Sequence, residues 1–122
     1  ETAAADAFED LRARVARGEA WDVVVTDPPA FAKKTADVDR ACRGYKDVNR
    51  LALKLLAPGG LLLACSCSGP VSADLFQKVL FAASLDAGVP ARIVEKRGAG
   101  PDHPVSIDCP ETEYLKAFLL SR

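Results

Sequence analysis

Methionine is absent from all 122 residues, so a chain that begins at Glu1 is expected to be a segment with something upstream removed. Histidine occurs once, at His103, and the four cysteines Cys42, Cys65, Cys67 and Cys109 form no C-x-x-C pair. A structural zinc site would need an unusual ligand set, and no metal is expected. No apolar run approaches the roughly 18 residues that a membrane span requires, and the N-terminus lacks the features of a secretory signal. The expectation is a cytoplasmic protein with no membrane contact and with free thiols. Strong charge is lacking too. With a net charge of −1, overall electrostatics do not draw in nucleic acid, and any such contact must come from a local patch or another domain.

What is present suits one ordinary globular domain: 49 % hydrophobic and 27 % charged residues, without linker, repeat or low-complexity tract. Phe8, Leu11 and Val15 recur at helical spacing over residues 6–17, with Asp6 at the N-cap position and Gly18 at the stop. Residues 21–26 (W-D-V-V-V-T) form a short β-branched run, apolar on both faces, as in a parallel strand covered on both sides. Asp27-Pro28-Pro29 ends it. Residues 30–38 read as a loop and 38–56 as a helix with Tyr45, Val48, Ala52 and Leu55 in one stripe, closed by Pro58-Gly59-Gly60. A buried strand follows at 61–65, then a helix at 73–87 capped by Ser72 and stopped by Gly88. Strands are expected at 91–96 and 114–120, with a Gly-, Pro- and Asp-rich loop at 98–110 between them. This order predicts an α/β sheet, mostly parallel, closed by an antiparallel C-terminal hairpin. Ligands of such sheets sit beyond the carboxyl ends of the strands, where residues 27–31 and 65–68 both fall.

The first of these loops carries D-P-P-A-F. Two prolines remove amide donors and stiffen the loop, so the Pro28 carbonyl and the Asp27 carboxylate can accept from the amino group of a planar base. The plain alternative is a strand ended by turn residues. The second loop is C-S-C-S-G, which places two thiols at a strand mouth. A thiolate there can add to C6 of a pyrimidine and make C5 nucleophilic, whereas two small buried residues are the commoner fate of cysteine. Cys65 and Cys67 share one face by period-two alternation, so the pattern does not choose between them.

Asp6-Ala7-Phe8 reads, on physics alone, as an N-cap aspartate and a core phenylalanine. Residues 33–50 hold Lys33, Lys34, Arg40, Arg43, Lys46 and Arg50 against Asp37, Asp39 and Asp47, with Phe31 and Tyr45 nearby. Cations beside a stacking ring suit a flipped base and its phosphates; a solvated helix face explains the same charges. His103, in the last long loop, is either a base for a ring proton or simply exposed.

Taken in order, D-A-F, W-D-V-V-V-T-D-P-P-A-F-A-K, A-C-R-G-Y-K-D-V-N-R-L-A-L-K-L-L-A-P-G-G, C-S-C-S-G, D-H-P-V and P-E-T-E-Y-L-K resemble one family. It is the class I S-adenosylmethionine-dependent methyltransferases, and within them the bacterial 23S ribosomal RNA (cytosine-C5) methyltransferases that carry an N-terminal PUA domain. The resemblance implies a Rossmann-like methyltransferase sheet of which residues 1–122 are the C-terminal portion of a single domain, with the first strands missing and residues 1–5 closing the third. It implies S-adenosylmethionine as cofactor, with Asp6, Ala7 and Phe8 at its adenine and Asp27 beside its methyl group and the target base. It implies Cys67 as the nucleophile; the residue types of the proline loop and the basic, aromatic stretch add Pro28, Pro29, Phe31, Lys33, Arg43 and Tyr45 as the expected RNA side. The glycine-rich loop and the ribose-binding acid of the family have no counterpart here, so the segment is expected to be inactive alone. An exposed strand edge leads to the expectation of a homodimer. Two other readings stay open: methylation of an exocyclic N4 or N6 amine, and a non-catalytic RNA-binding module on the same fold.

Overall fold

In the computed structural model, which describes residues 2–122, helix α1 (Ala7–Ala16) starts where Asp6 accepts hydrogen bonds from the amides of Phe8 and Glu9, each at 3.0 Å. The capping role read from the sequence is therefore filled. Gly18 follows the helix with φ of 71°. Strand β1 (Trp21–Thr26) leads through a short 3-10 turn (Thr35–Asp37) into α2 (Val38–Leu55), whose Tyr45, Val48, Ala52 and Leu55 are buried as the stripe requires. Then come β2 (Leu56–Ser66), α3 (Ala73–Ala87), β3 (Arg92–Arg97) and β4 (Lys116–Ser121). Ser72 caps α3 by accepting from the Leu75 amide at 3.1 Å, and Gly88 ends it with φ of 67°.

The sheet order is β1-β2-β4-β3, with β1 and β2 parallel and β4 antiparallel to both of its neighbours. Three strands thus run one way and the last returns between two of them, an α/β arrangement of the Rossmann-like kind. Side-chain character explains the placement. β4 alternates Lys116, Phe118 and Leu120 inward with Ala117, Leu119 and Ser121 half-buried, which suits an internal strand. In β3, R-I-V-E-K-R is exposed throughout, and such charge belongs at an edge. The core forms where Leu62, Ala64, Phe118 and Leu120 meet Tyr45, Ala52, Phe76, Leu80 and Ala83 of α2 and α3.

Three expectations change. The strand end expected over residues 1–5 is not seen: position 1 lies outside the described residues, and 2–5 form no strand because no described strand lies beside them to share a ladder. Nor is β1 covered on both sides. Val24 packs on the core and Thr26 is buried, but Val23 and Val25 are 61 % and 59 % exposed, since the described helices leave that face open. Finally, Pro58-Gly59-Gly60 does not separate helix from strand. β2 begins at Leu56, directly after α2, and residues 57–60 bulge out between the pairings Trp21 with Leu56 and Val23 with Leu61.

The bulge explains one glycine. Gly59 has φ of 79°, but Gly60 is needed for space: a Cβ there would lie 2.9 Å from the Ala57 carbonyl oxygen and 3.0 Å from that of Asp22, both backbone atoms. Gly60→Ala is expected to lower stability by about 1–3 kcal/mol in urea unfolding. Gly69→Ala, with nothing within 4 Å of its Cβ, should change it by less than about 0.5 kcal/mol.

Candidate functional site

The carboxyl ends of the parallel strands β1 and β2 place Asp27 and Cys67 in one crevice. Each loop is held from below by a buried polar side chain. The Thr26 hydroxyl donates to the Asn49 side-chain oxygen at 2.8 Å, and the Asn49 amide donates to the Tyr45 carbonyl at 2.8 Å. This fixes the last residue of β1 to α2 and so sets the direction in which Asp27 leaves. Ser68 does the same for the second loop. Its Oγ accepts from the Ala32 amide at 3.0 Å and shares a hydrogen bond with the Tyr45 hydroxyl at 2.8 Å, all three groups being buried.

Between these anchors the Cys67 thiol points at the Pro28 carbonyl, 3.8 Å away. Lys116, only 8 % exposed, donates from Nζ to the carbonyls of Ser68 at 2.6 Å and Tyr114 at 2.7 Å. Burial lowers its pKa, while Cys67 works in the opposite direction. Cys65, 8 % exposed, has its pKa raised first by burial and then by the charges of Asp27 and Cys67. It is thereby kept a neutral thiol. Cys67 is half-buried, so the structure separates two cysteines that sequence periodicity treats alike.

A cavity of about 270 Å³ opens between α1 and the end of β1, with Ala7, Leu11, Val24 and Val48 as apolar wall and Asp27 and Pro28 at its rim. Asp6 is at its edge in the chain, and its cap uses Oδ1 alone. The Phe8 ring stacks on Phe31, with centroids 6.4 Å apart and planes at 30°, and Phe31 packs on Tyr45 at 4.7 Å. Pro29, Lys33 and Arg43 are exposed; Arg43 lies about half a turn from Tyr45 on α2 and so on its solvent side.

One expected role does not fit. Tyr45 cannot stack on a base: its ring is fully buried between Phe31 and Phe76, and its hydroxyl is committed to Ser68. It supports the loop that carries Phe31. Of the two readings of His103 the exposed one holds: its side chain is 65 % exposed and pairs with Asp102 at 3.1 Å. Conversely, sequence reasoning missed Asn49, Ser68 and Lys116. The signal was there for two of them. Asn49 lies one turn after Tyr45 on the inward side of α2, and Lys116 has the parity of Phe118 and Leu120. A polar group at an inward position needs partners, and here it finds them.

No family model matches the chain. It is 46 % identical over 114 residues to a ribosomal RNA large subunit methyltransferase I of Pseudoalteromonas atlantica, covering 93 % of this chain and 29 % of that protein. To the protein of the same name from Shewanella amazonensis it is 49 % identical over 115 residues, covering 94 % and 29 %. The chain therefore spans less than a third of the length of the curated relatives it matches. Among solved structures, a chain described as a methyltransferase and crystallised with SAH superposes with a TM-score of 0.78 at 20 % identity, over 97 % of this chain and 30 % of that one. A chain from Streptococcus mutans described as a SAM-dependent methyltransferase gives 0.77 at 18 % identity. The chain thus has the fold of about a third of these methyltransferase structures and is similar in sequence to a like share of the proteins named ribosomal RNA large subunit methyltransferase I.

Proposed function

We propose that the chain is part of an S-adenosylmethionine-dependent methyltransferase that modifies carbon 5 of a cytosine in RNA, with 23S ribosomal RNA as the substrate class. The names of its relatives support the RNA part of this reading, and SAH in a structural neighbour supports the cofactor. The observation that carries the C5 assignment is the Cys67 thiol, half-buried and aimed at the Pro28 carbonyl in the loop that bears Asp27.

The residues present fit one end of the cofactor. The apolar cavity beside Ala7 and Val24 suits a flat adenine ring, with Asp6 on the chain at its edge and Phe8 next to Ala7 in the first turn of α1. When bound, the cofactor supplies an electrophilic methyl group at a sulfonium centre. Cys67, as thiolate, forms a bond from sulfur to C6 of the cytosine, and the electron pair of the C5=C6 bond moves to C5. C5, made nucleophilic by the Cys67 adduct, would be the atom that accepts the methyl group when the cofactor is bound. Transfer of the C5 proton to water would then restore the double bond and expel the Cys67 thiolate. Asp27 and the Pro28 carbonyl accept from the N4 amino edge, Pro29 keeps that loop stiff, and Phe31 offers its half-buried ring to the base. Lys33 and Arg43, exposed near this loop and on α2, take backbone phosphates. A cytoplasmic setting belongs to the same proposal, as does self-association of the chain through β1, which the exposed Val23 and Val25 support.

Two measurements check the thiol. In a full-length protein carrying this chain, Cys67→Ala is expected to lower methyl transfer about a thousandfold or more, and mass mapping of the product to find 5-methylcytidine. An unchanged rate, or an N4-methylated product, overturns the assignment; absence of any heat with S-adenosylmethionine would favour a non-catalytic module. Site-resolved iodoacetamide labelling at neutral pH is expected to modify Cys67 about tenfold faster than Cys65, and equal rates would contradict the distinction between them.

A further inference from the structure

A second cavity, of about 400 Å³, opens on the other side of the Cys67 turn, beyond the ends of β3 and β4. It is lined by Lys96, Arg97, Lys116, Gly69, Ala73 and Glu113 among others. In a chain of net charge −1, a cavity wall with three cations and one carboxylate is a local reversal of sign. Its cations are held by different means. Lys96 lies over the Phe118 ring, 5.3 Å from its centroid. Arg97 uses Nε to reach Glu95 at 2.8 Å, so the terminal fork that matches phosphate oxygens is not spent on that contact. Lys116 spends two of its three donors on carbonyls, at 2.6 and 2.7 Å.

Building on the RNA-methyltransferase reading above, we infer that this cavity is a phosphate-binding subsite, which takes the backbone phosphate of a nucleotide next to the target base. Three features argue for it. The volume lies in the range of about 300–1,000 Å³ typical of small-ligand pockets, enough for a sugar-phosphate unit. Its position is right: Gly69 on its wall is two residues after Cys67, and two residues span at most about 7 Å, the scale of a single nucleotide. It is also tied to the reacting loop, because Lys116 on its wall holds the Ser68 carbonyl. A phosphate there favours the charged form of Lys116, which burial otherwise disfavours.

Lys96 and Arg97 are exposed edge residues, so Lys96→Gln/Arg97→Gln removes two cations without opening the core. A full-length protein carrying this chain is titrated with inorganic phosphate and, separately, with a single-stranded RNA oligonucleotide at several salt concentrations. Phosphate is expected to shift the amide resonances of Gly69, Ala73 and Gly98, and the double variant to weaken that response about tenfold. The slope of log affinity for RNA against log salt is expected to become shallower by about 0.7, the contribution of one contacted phosphate of a single strand. Lys54→Gln, which removes an exposed cation in the last turn of α2 that does not line this cavity, should leave the phosphate shifts unchanged, and a loss as large as that of the double variant would overturn the subsite. If phosphate moves none of the three amides, or moves them equally in the double variant, the subsite is overturned. If the shifts are lost but the RNA slope is unchanged, the cavity takes free phosphate and the backbone assignment is overturned. A fully active Cys67→Ala enzyme would sink the thiol mechanism and leave these titrations untouched, so the two failures are distinct.

Discussion

The Ser68 hydroxyl takes the Ala32 amide from one loop and meets the Tyr45 hydroxyl rising from α2, so a single buried oxygen fastens the two loops that carry Asp27 and Cys67. Neither partner has water to turn to. Leaving a buried donor unpaired costs about 1–3 kcal/mol, enough to make this contact decide where the loops sit. The rest follows from it: Phe31 rests on Tyr45, Phe8 on Phe31, and Cys67 is left facing the Pro28 carbonyl. Lys116 reinforces the arrangement from β4 by holding the carbonyl of the same serine.

This dependence gives the last strand a functional meaning beyond closing a sheet. Because β4 runs antiparallel between β2 and β3, its first residue, Lys116, pairs in register with Ser66 at the mouth of the crevice. A strand entering from the other end would put its start at the far edge of the sheet. The charged β3 then takes the outer position, and Lys96 and Arg97 arrive beside Lys116 at the same end. Thiol and cations therefore share one rim of the sheet because of strand order, although 29 residues separate Cys67 from Lys96 in the chain.

Helices and strands were largely legible in the sequence because their signals are local. The 3.6-residue stripe of Tyr45, Val48, Ala52 and Leu55, the caps Asp6 and Ser72, and the glycines at 18 and 88 each report a physical need that neighbours in the chain reveal. The site was legible only in part. Asp27 and Cys67 stand directly after the ends of β1 and β2, as the pattern placed them, but Tyr45 was misread because an aromatic ring beside cations looks the same whether it faces a base or the core. Parity shows that Lys116 faces inward, but the carbonyls it finds there and the pairing of Ser68 depend on which strand lies next to which, and period-two alternation does not encode that. The open face of β1 was misjudged for the same reason: Val23 and Val25 record an apolar preference, not what covers it.

The claim at the centre is that Cys67 adds to C6 of a cytosine held against the Asp27 loop. It is tested most directly with a full-length protein carrying this chain, S-adenosylmethionine and RNA in which the target cytosine bears fluorine at C5. Fluorine cannot leave as a proton, so once C5 is methylated the thioether bond has no route to elimination. The expected product is a protein–RNA adduct that survives denaturation and maps by mass to Cys67. Methyl transfer to RNA without any adduct, or an adduct at Cys65, would contradict it.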